Sequence, residues 1–259
     1  MNIKLITTDL DNTLLRHDKT ISDYTVDVFK RCRERGILLV FATSRSEFAS
    51  ARFTARIAPD IFISNGGALT QRGEEVLYRV TMTSDLANTL ISKMQQYPEI
   101  DWYTVESENG YFNSMPIDVT MAGWVDYSHS QHTDFSTAID FGEVFKITVA
   151  STSAEPIHRI YANYPEFEVI NFTGEDWYQI KSHKASKEAA IRAVAEKLNI
   201  SLSDIAAFGD DHNDVDMLRA VGYGVAVANA IPEAKAAARY ECGECDEDVV
   251  ARWVEENVL

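Results

Sequence analysis

The segment Thr7-Thr8-Asp9-Leu10-Asp11-Asn12-Thr13-Leu14 follows a short apolar run, and residues 3 to 8 read as a strand. Alternate side chains of a strand share a face, so Asp9 and Asp11 point to one side where the chain turns. Two carboxylates so close repel unless a cation or a shared proton compensates. Mg²⁺ suits such a pair, because it prefers oxygen ligands and keeps several waters. A second acidic segment, Gly209-Asp210-Asp211-His212-Asn213-Asp214-Val215-Asp216, leaves a strand predicted over 205 to 208. It is too acidic for a plain turn. A calcium loop of the helix-loop-helix kind would need glycine at 215 and a carboxylate at 221, where this chain has Val215 and Val221.

Around these segments, short apolar runs alternate with amphipathic ones, the signature of an α/β fold with a parallel sheet. Ser22 caps a predicted helix, with Ile21 and Val26 as a hydrophobic staple and Gly36 as its stop. Strands follow at Ile37 to Ala42 and Ile61 to Ser64, separated by a helix over 46 to 57. After Asn65, Gly66 and Gly67 the rhythm changes. A strand is expected at Leu77 to Val80, and Ser84 is expected to cap a helix carrying Leu86, Leu90, Met94 and Tyr97 on one face. Strands at 102 to 105 and 145 to 150, a helix over 154 to 164 and two strands within 167 to 180 then suggest a separate α+β unit. Residues 116 to 142 show no readable pattern. The βα rhythm resumes where Ser186 caps a helix, and a helix over 214 to 220 and a strand over 225 to 228 follow. The expected organisation is a core of residues 1–82 and 183–259 with an insert over 83–182.

In such a sheet the helix starts and strand ends share one edge, where open α/β proteins bind ligands. Asp9, Asp11, Thr43, Lys187 and Asp210 converge there; Thr43 and Ser44 add a hydroxyl and backbone amides for an anion. Lys184 is a rival to Lys187, but the latter sits at the helix start. Arg45 can either reach a substrate or form a structural ion pair.

The motifs Asp9-Leu10-Asp11-Asn12-Thr13-Leu14, Ala42-Thr43-Ser44-Arg45, Lys187 and Gly209-Asp210-Asp211-His212-Asn213-Asp214, in that order, resemble the four motifs of the haloacid dehalogenase superfamily. The insert after Ser64-Asn65-Gly66-Gly67 resembles the cap of its Cof-type phosphatases. The resemblance implies a Rossmann-like core with an inserted cap that selects substrate. It implies that Asp9 is the nucleophile, forming an aspartyl-phosphate, and that Asp11 is general acid and then base. It further implies Mg²⁺ held by Asp9, the Asp11 carbonyl and Asp210 with Asp214 close by, and phosphoryl oxygens held by Thr43, Ser44, Lys187 and Asn213. An acid role requires a raised Asp11 pKa, which a neighbouring carboxylate would provide. Two positions depart from the family pattern. Asn12 and Ser44 stand where glycine is usual, and Asn is the non-glycine residue that best tolerates a left-handed backbone.

Composition narrows the function. The chain has 259 residues, 24 Lys plus Arg against 40 Asp plus Glu, and a net charge of −16. Clustered basic residues, which nucleic-acid binding needs, are missing from the sequence. No apolar run approaches the roughly 18 residues of a membrane span. The start of the chain interleaves acids with apolar residues and lacks a small-residue cleavage site, so the expected location is the cytoplasm. Three cysteines, Cys32, Cys242 and Cys245, form no disulfide framework, and a metal site built on Cys242 and Cys245 would need two further ligands. The aromatic residues Trp102, Tyr103, Tyr111, Phe112 and Trp124 are expected mainly in the insert's own core. The expected function is therefore Mg²⁺-dependent hydrolysis of a small phosphorylated metabolite, a sugar phosphate foremost. A phosphomutase, or a non-hydrolytic sensor of the same metabolites, is the alternative.

Overall fold

Successive residues of the first strand belong to two different apolar clusters, and this alternation organises the molecule. Leu5, Val40, Ala42 and Ala207 pack into one cluster, while Ile6, Leu39, Phe41 and Phe208 pack into the other. A sheet with both faces apolar must be covered on both sides, which gives three layers. The computed structural model describes residues 2–116, 130–171 and 176–259. The chain divides into two compact units, Met1–Arg79 with Ser186–Leu259, and Val80–Ala185. The second unit reaches three residues further at each end than the insert expected from sequence.

In chain order the first unit begins with β1 (Leu5–Thr8), α1 (Asp23–Glu34), β2 (Leu38–Ala42), α2 (Glu47–Ile57), β3 (Ile61–Ser64), β4 (Leu69–Arg72) and β5 (Glu75–Arg79). The second unit comprises β6 (Met82–Thr83), α3 (Ser84–Met94), β7 (Ile100–Ser107), β8 (Gly110–Asn113), β9 (Ser130–His132), β10 (Glu143–Ser151), α4 (Glu155–Tyr161), β11 (Phe167–Asn171) and β12 (Trp177–Ser182). The first unit closes with α5 (Lys187–Leu198), β13 (Ile205–Gly209), α6 (Val215–Ala220), β14 (Tyr223–Ala226), α7 (Pro232–Ala237), β15 (Tyr240–Glu241) and α8 (Val249–Asn257).

The first unit's sheet has the order β15-β14-β13-β1-β2-β3-β4-β5, and β4 alone runs antiparallel to its neighbours in an otherwise parallel sheet. Residues of α1, α2 and α8 share one apolar cluster, and those of α5, α6 and α7 share the other. The second unit has a sheet of order β11-β12-β10-β7-β8-β9, with β6 paired to β10. Its helices α3 and α4 contribute Leu90, Ile91, Met94, Ile157 and Ile160 to a third apolar cluster that includes Tyr103 and Phe112. Trp124 lies outside the described residues. No helix among the described residues is long and apolar enough to cross a membrane.

Three local expectations are corrected. The cap of α3 is Thr83, whose side chain accepts from Leu86 N; Ser84 instead donates to Ile139 O at 2.9 Å. Adjacent hydroxyl residues compete for a cap, and the one with extended backbone wins. The helix expected over 154–164 ends at Tyr161, because Pro165 disfavours helical geometry in the residue before it. Strand β4 is unexpected: Leu69–Arg72 lacks an apolar alternation, and a turn at Gly73 (φ 56°) pairs it with β5.

Gly67 shows how tightly the first unit is built. Its φ is +98°, and a Cβ there would lie 2.2 Å from Ser186 O and 2.8 Å from Lys187 N. Gly67→Ala should therefore destabilise the chain by about 2–4 kcal/mol, combining backbone strain with overpacking. Urea denaturation is the measurement, and a loss under about 0.5 kcal/mol, the usual range of a neutral surface change, would contradict this close approach.

Candidate active site

Beyond β1 the ladder continues for one residue, with Asp9 N donating to Phe208 O at 3.0 Å. The chain then makes a wide turn over Leu10–Leu14, closed by Leu15 N donating to Leu10 O at 2.7 Å. Asn12 sits at φ 55°, ψ 10° within it, and its carbonyl accepts from Asn229 Nδ2 at 2.7 Å. The left-handed conformation is thus required at this position, and Asn supplies it at low cost. Ser44 is not among the left-handed residues, so its side chain imposes no such strain.

Asp9, Asp210 and Asp214 are all buried and offer carboxylate oxygens within 4.8 Å of one another. Lys187, only 2% exposed, donates from Nζ to Asp9 Oδ1 and to Asp214 Oδ1, each at 2.7 Å. Helix α5 begins at this lysine, its N-terminus fixed by Ser186 accepting from Ala189 N. Lys184, by contrast, is exposed. Asp214 Oδ2 accepts from Asp210 N at 3.1 Å and Asp211 N at 3.2 Å, and Thr13 Oγ1 donates to Asp210 Oδ1 at 2.7 Å. Gly209 makes the fold-back possible, since a Cβ on it would lie 2.4 Å from Asp214 Cβ.

Three carboxylates face one ammonium, leaving two negative charges in a poorly hydrated place. Burial pushes Asp9 up to about 7 and Asp210 up to about 8; neighbouring carboxylates add to both rises and Lys187 opposes them. Burial alone would lower Lys187, but Asp214 and Asp9 outweigh it and raise its pKa. An oxygen-only donor set with this charge deficit fits a hard divalent cation.

Asp11 departs from expectation. Burial would raise its pKa, yet Arg45 and Lys19 outweigh burial and hold it at about 2. Arg45 grips both oxygens, Nε to Oδ2 at 2.6 Å and Nη2 to Oδ1 at 2.8 Å, while Lys19 Nζ lies 2.9 Å from Oδ1. A bidentate guanidinium is the strongest partner a carboxylate can find among side chains. The raised value expected from carboxylate proximity is thus reversed by two cations, Lys19 further along the same connection and Arg45 from the loop after β2.

Of the remaining predicted residues, Asn213 Nδ2 donates to Ser44 Oγ at 3.3 Å, joining the loops after β2 and β13. Thr43 is buried, and its hydroxyl accepts from Arg45 N at 3.1 Å within its own loop. Sequence reasoning left Arg45 undecided and gave Thr13 and Lys19 no role. Thr13 had a signal, its place within the first acidic segment; Lys19 had none.

The second unit has its own unexpected feature. On β7, β10 and β12 the residues Thr104, Glu106, Lys146, Thr148, Gln179 and Lys181 alternate with apolar ones and so share one sheet face, which is buried. Lys146 Nζ lies 3.0 Å from Glu106 Oε1, and Lys181 pairs with Glu168 at 2.5 Å. Both amide atoms of Gln179 are buried without a hydrogen-bond partner among the described residues. Such groups cost free energy when left unmade, so a buried polar face marks a place of use.

Known proteins resemble this chain along almost its whole length. The family of haloacid dehalogenase-like hydrolases matches residues 6–254. YkrA of Bacillus subtilis (strain 168), a provisionally named phosphatase, is 27% identical over 270 residues, covering 99% of this chain and 98% of its own. The HMP-PP phosphatase of Shigella boydii serotype 4 (strain Sb227) is 26% identical over 259 residues, covering 97% of this chain and 98% of its own. A solved structure titled as a subclass IIB sugar phosphatase shares the fold with a TM-score of 0.82 at 21% identity, over 98% of both chains.

The burial of Asp9 and Asp210 has a measurable sign. Both folded pKa values stand above the ordinary 3.8, so the metal-free folded chain binds more protons than the unfolded chain between about pH 4 and pH 8. Each group therefore withdraws stability as pH rises through that window. Asp210→Asn removes one of them, so the stability of the variant relative to wild type should grow from pH 5 to pH 9 in chelator. Chemical denaturation would read this, and a flat or shrinking difference would contradict the assigned burial.

Proposed function

The chain belongs to the haloacid dehalogenase-like hydrolases and is a phosphatase, and from that premise we propose that it hydrolyses phosphomonoesters of small metabolites, sugar phosphates foremost, in the cytoplasm, through an aspartyl-phosphate on Asp9. The observation that supports this most is the buried Lys187 bridge, which holds the Asp9 carboxylate by one oxygen and in one orientation. Asp9 attacks phosphorus, the phosphorus–oxygen bond to the metabolite breaks, and the leaving oxygen takes a proton. Water then attacks the acyl phosphate and regenerates Asp9. The carboxylates of Asp9 and Asp210 and the Asp11 carbonyl would hold Mg²⁺, with Asp214 beside them, and the bound ion would supply positive charge against the phosphoryl oxygens. Lys187, Thr43, the Ser44 amide and Asn213 hold those oxygens by hydrogen bonds that strengthen as charge develops.

Asp11 serves both proton transfers. In the state described here its carboxylate is ionised, ready to take a proton from water. To donate in the first step it must be released by Arg45 and Lys19. An anionic phosphate competes for both cations, and once they turn toward it, burial becomes the dominant influence on Asp11 and raises its pKa.

We assign selection of the leaving group to the second unit, on the strength of its buried polar face. Gln179 is the residue to probe, because its amide has no hydrogen-bond partner among the described residues. Gln179→Leu should raise KM for the preferred metabolite about tenfold, the value of one buried hydrogen bond, and leave kcat/KM for a simple aryl phosphate within about twofold. An equal effect on both substrates would remove the assignment.

Phosphate release from an aryl phosphate and a panel of sugar phosphates, with and without Mg²⁺, tests the central reading. Asp9→Asn should lower Mg²⁺-dependent release on the order of 10³-fold or more. Undiminished release would overturn the nucleophile, and phosphate returned to the substrate rather than released would make the chain a mutase.

A further inference from the structure

Beside the carboxylate cluster, a second group of three side chains, from opposite ends of the sequence, meets at one point. His17 Nδ1 lies 2.8 Å from Asp246 Oδ2 and 3.6 Å from Cys245 Sγ, and the three donor atoms fall within 4.8 Å of one another. His17 lies in the loop between the Asp11 turn and α1, whereas Cys245 and Asp246 form a short turn before α8. The bond between His17 N and Asp246 Oδ1, at 2.8 Å, fixes the same pair through the backbone.

Two readings without a metal fit poorly. In a nucleophilic relay the acid and the thiol would engage different ring nitrogens, the acid orienting one and the thiol surrendering its proton to the other. Here both converge on Nδ1. A simple ion pair explains the His17–Asp246 contact but not the thiol. A single ring nitrogen either donates to the carboxylate or accepts from the thiol, so it cannot serve both partners at once. A cation replaces these competing hydrogen bonds with three simultaneous ones to a common centre.

We propose that His17 Nδ1, Cys245 Sγ and Asp246 Oδ2 form a binding site for a thiophilic divalent cation of the zinc type, separate from the carboxylate cluster. Sulfur, imidazole and carboxylate together are a donor set that suits Zn²⁺ and not Mg²⁺ or Ca²⁺. Ligand atoms about 2.0–2.3 Å from a tetrahedral zinc stand roughly 3.3–3.7 Å apart. The sulfur–nitrogen distance already matches, and the nitrogen–oxygen pair opens by about half an ångström. Cys245 is buried while the side chains of His17 and Asp246 are 59% and 54% exposed, so the fourth corner faces solvent and takes water. Cys242, the other half of the CxxC spacing, packs instead against the apolar clusters.

The site is preorganised. Arg16 Nη2 holds Asp248 Oδ2 at 2.7 Å, pinning the two segments together on one side. Asn229 Oδ1 accepts from Cys245 N at 3.2 Å while its Nδ2 donates to Asn12 O, so the same asparagine that supports Cys245 supports the turn bearing Asp11. On binding, the thiol gives its proton to solvent and the thiolate coordinates the cation.

Cobalt is the probe, because a thiolate bound to Co²⁺ absorbs in the near ultraviolet. The chelator-treated full chain, with excess Mg²⁺ occupying the carboxylate cluster, is titrated with Co²⁺. One equivalent should produce the thiolate-to-cobalt band, Zn²⁺ should displace it, and Cys242→Ser should retain it. Cys245→Ser should abolish the band, and His17→Ala, a change at an exposed side chain that leaves the core intact, should weaken affinity tenfold or more. No band in wild type overturns the proposal. So does a band that survives Cys245→Ser, disappears in Cys242→Ser or is indifferent to His17→Ala.

Discussion

One ammonium group makes the rest of this molecule possible. Asp9, Asp210 and Asp214 leave two strands and a loop, and nothing in the sheet alone would keep three carboxylates together in a dry place. Lys187 does so by touching two of them at once, and the structure around it is shaped to bring it there. Helix α5 starts at the lysine, so its long stem runs from the first turn into the cluster instead of out to water. Gly67 lets the backbone before α5 approach β3's exit, and Gly209 lets Asp214 fold back over its own strand. Each glycine stands where a single carbon atom would push a charge out of place.

The same electrostatics separate the two acids of the first motif. Asp9 has one cation, shared with another carboxylate, and burial dominates it. Asp11 has two cations against it and is less deeply enclosed, so burial loses. Residues two apart in sequence thereby hold opposite tendencies toward protons at neutral pH, a division suited to a nucleophile that must be charged by its partners and an acid-base group that must change state.

Much of this was legible because strand exits and helix starts are local features. The period of two, a cap at Ser186 and a run of acids after β13 put Asp9, Lys187 and Asp210 on one edge without any knowledge of distant contacts, and the family resemblance adds Asp214. What stayed hidden was the identity of partners across loops. Nothing near Arg45 or Lys19 reveals that both will close on Asp11, since that depends on how the long β1–α1 connection folds back on itself and meets the loop after β2. The polar face of the second unit was invisible for another reason: Thr104, Lys146 and Gln179 alternate with apolar neighbours as they would on any solvated sheet, and burial leaves no mark on such a pattern. His17 and Cys245 lie 228 residues apart, and no spacing rule reaches so far.

The distance between Asp9 and its lysine has a consequence for how the chain is made. They are separated by 178 residues, and the whole second unit is translated between them. A chain emerging from the ribosome therefore carries its nucleophile on an early strand long before the counterion exists. Domains tend to fold as units during synthesis, and the inserted one can complete its sheet while the surrounding one waits for β13 and α5. Truncated or stalled products ending before residue 187 contain Asp9 but no site, so the reactive centre is assembled last. Its completion doubles as a check that the interrupted sheet has closed.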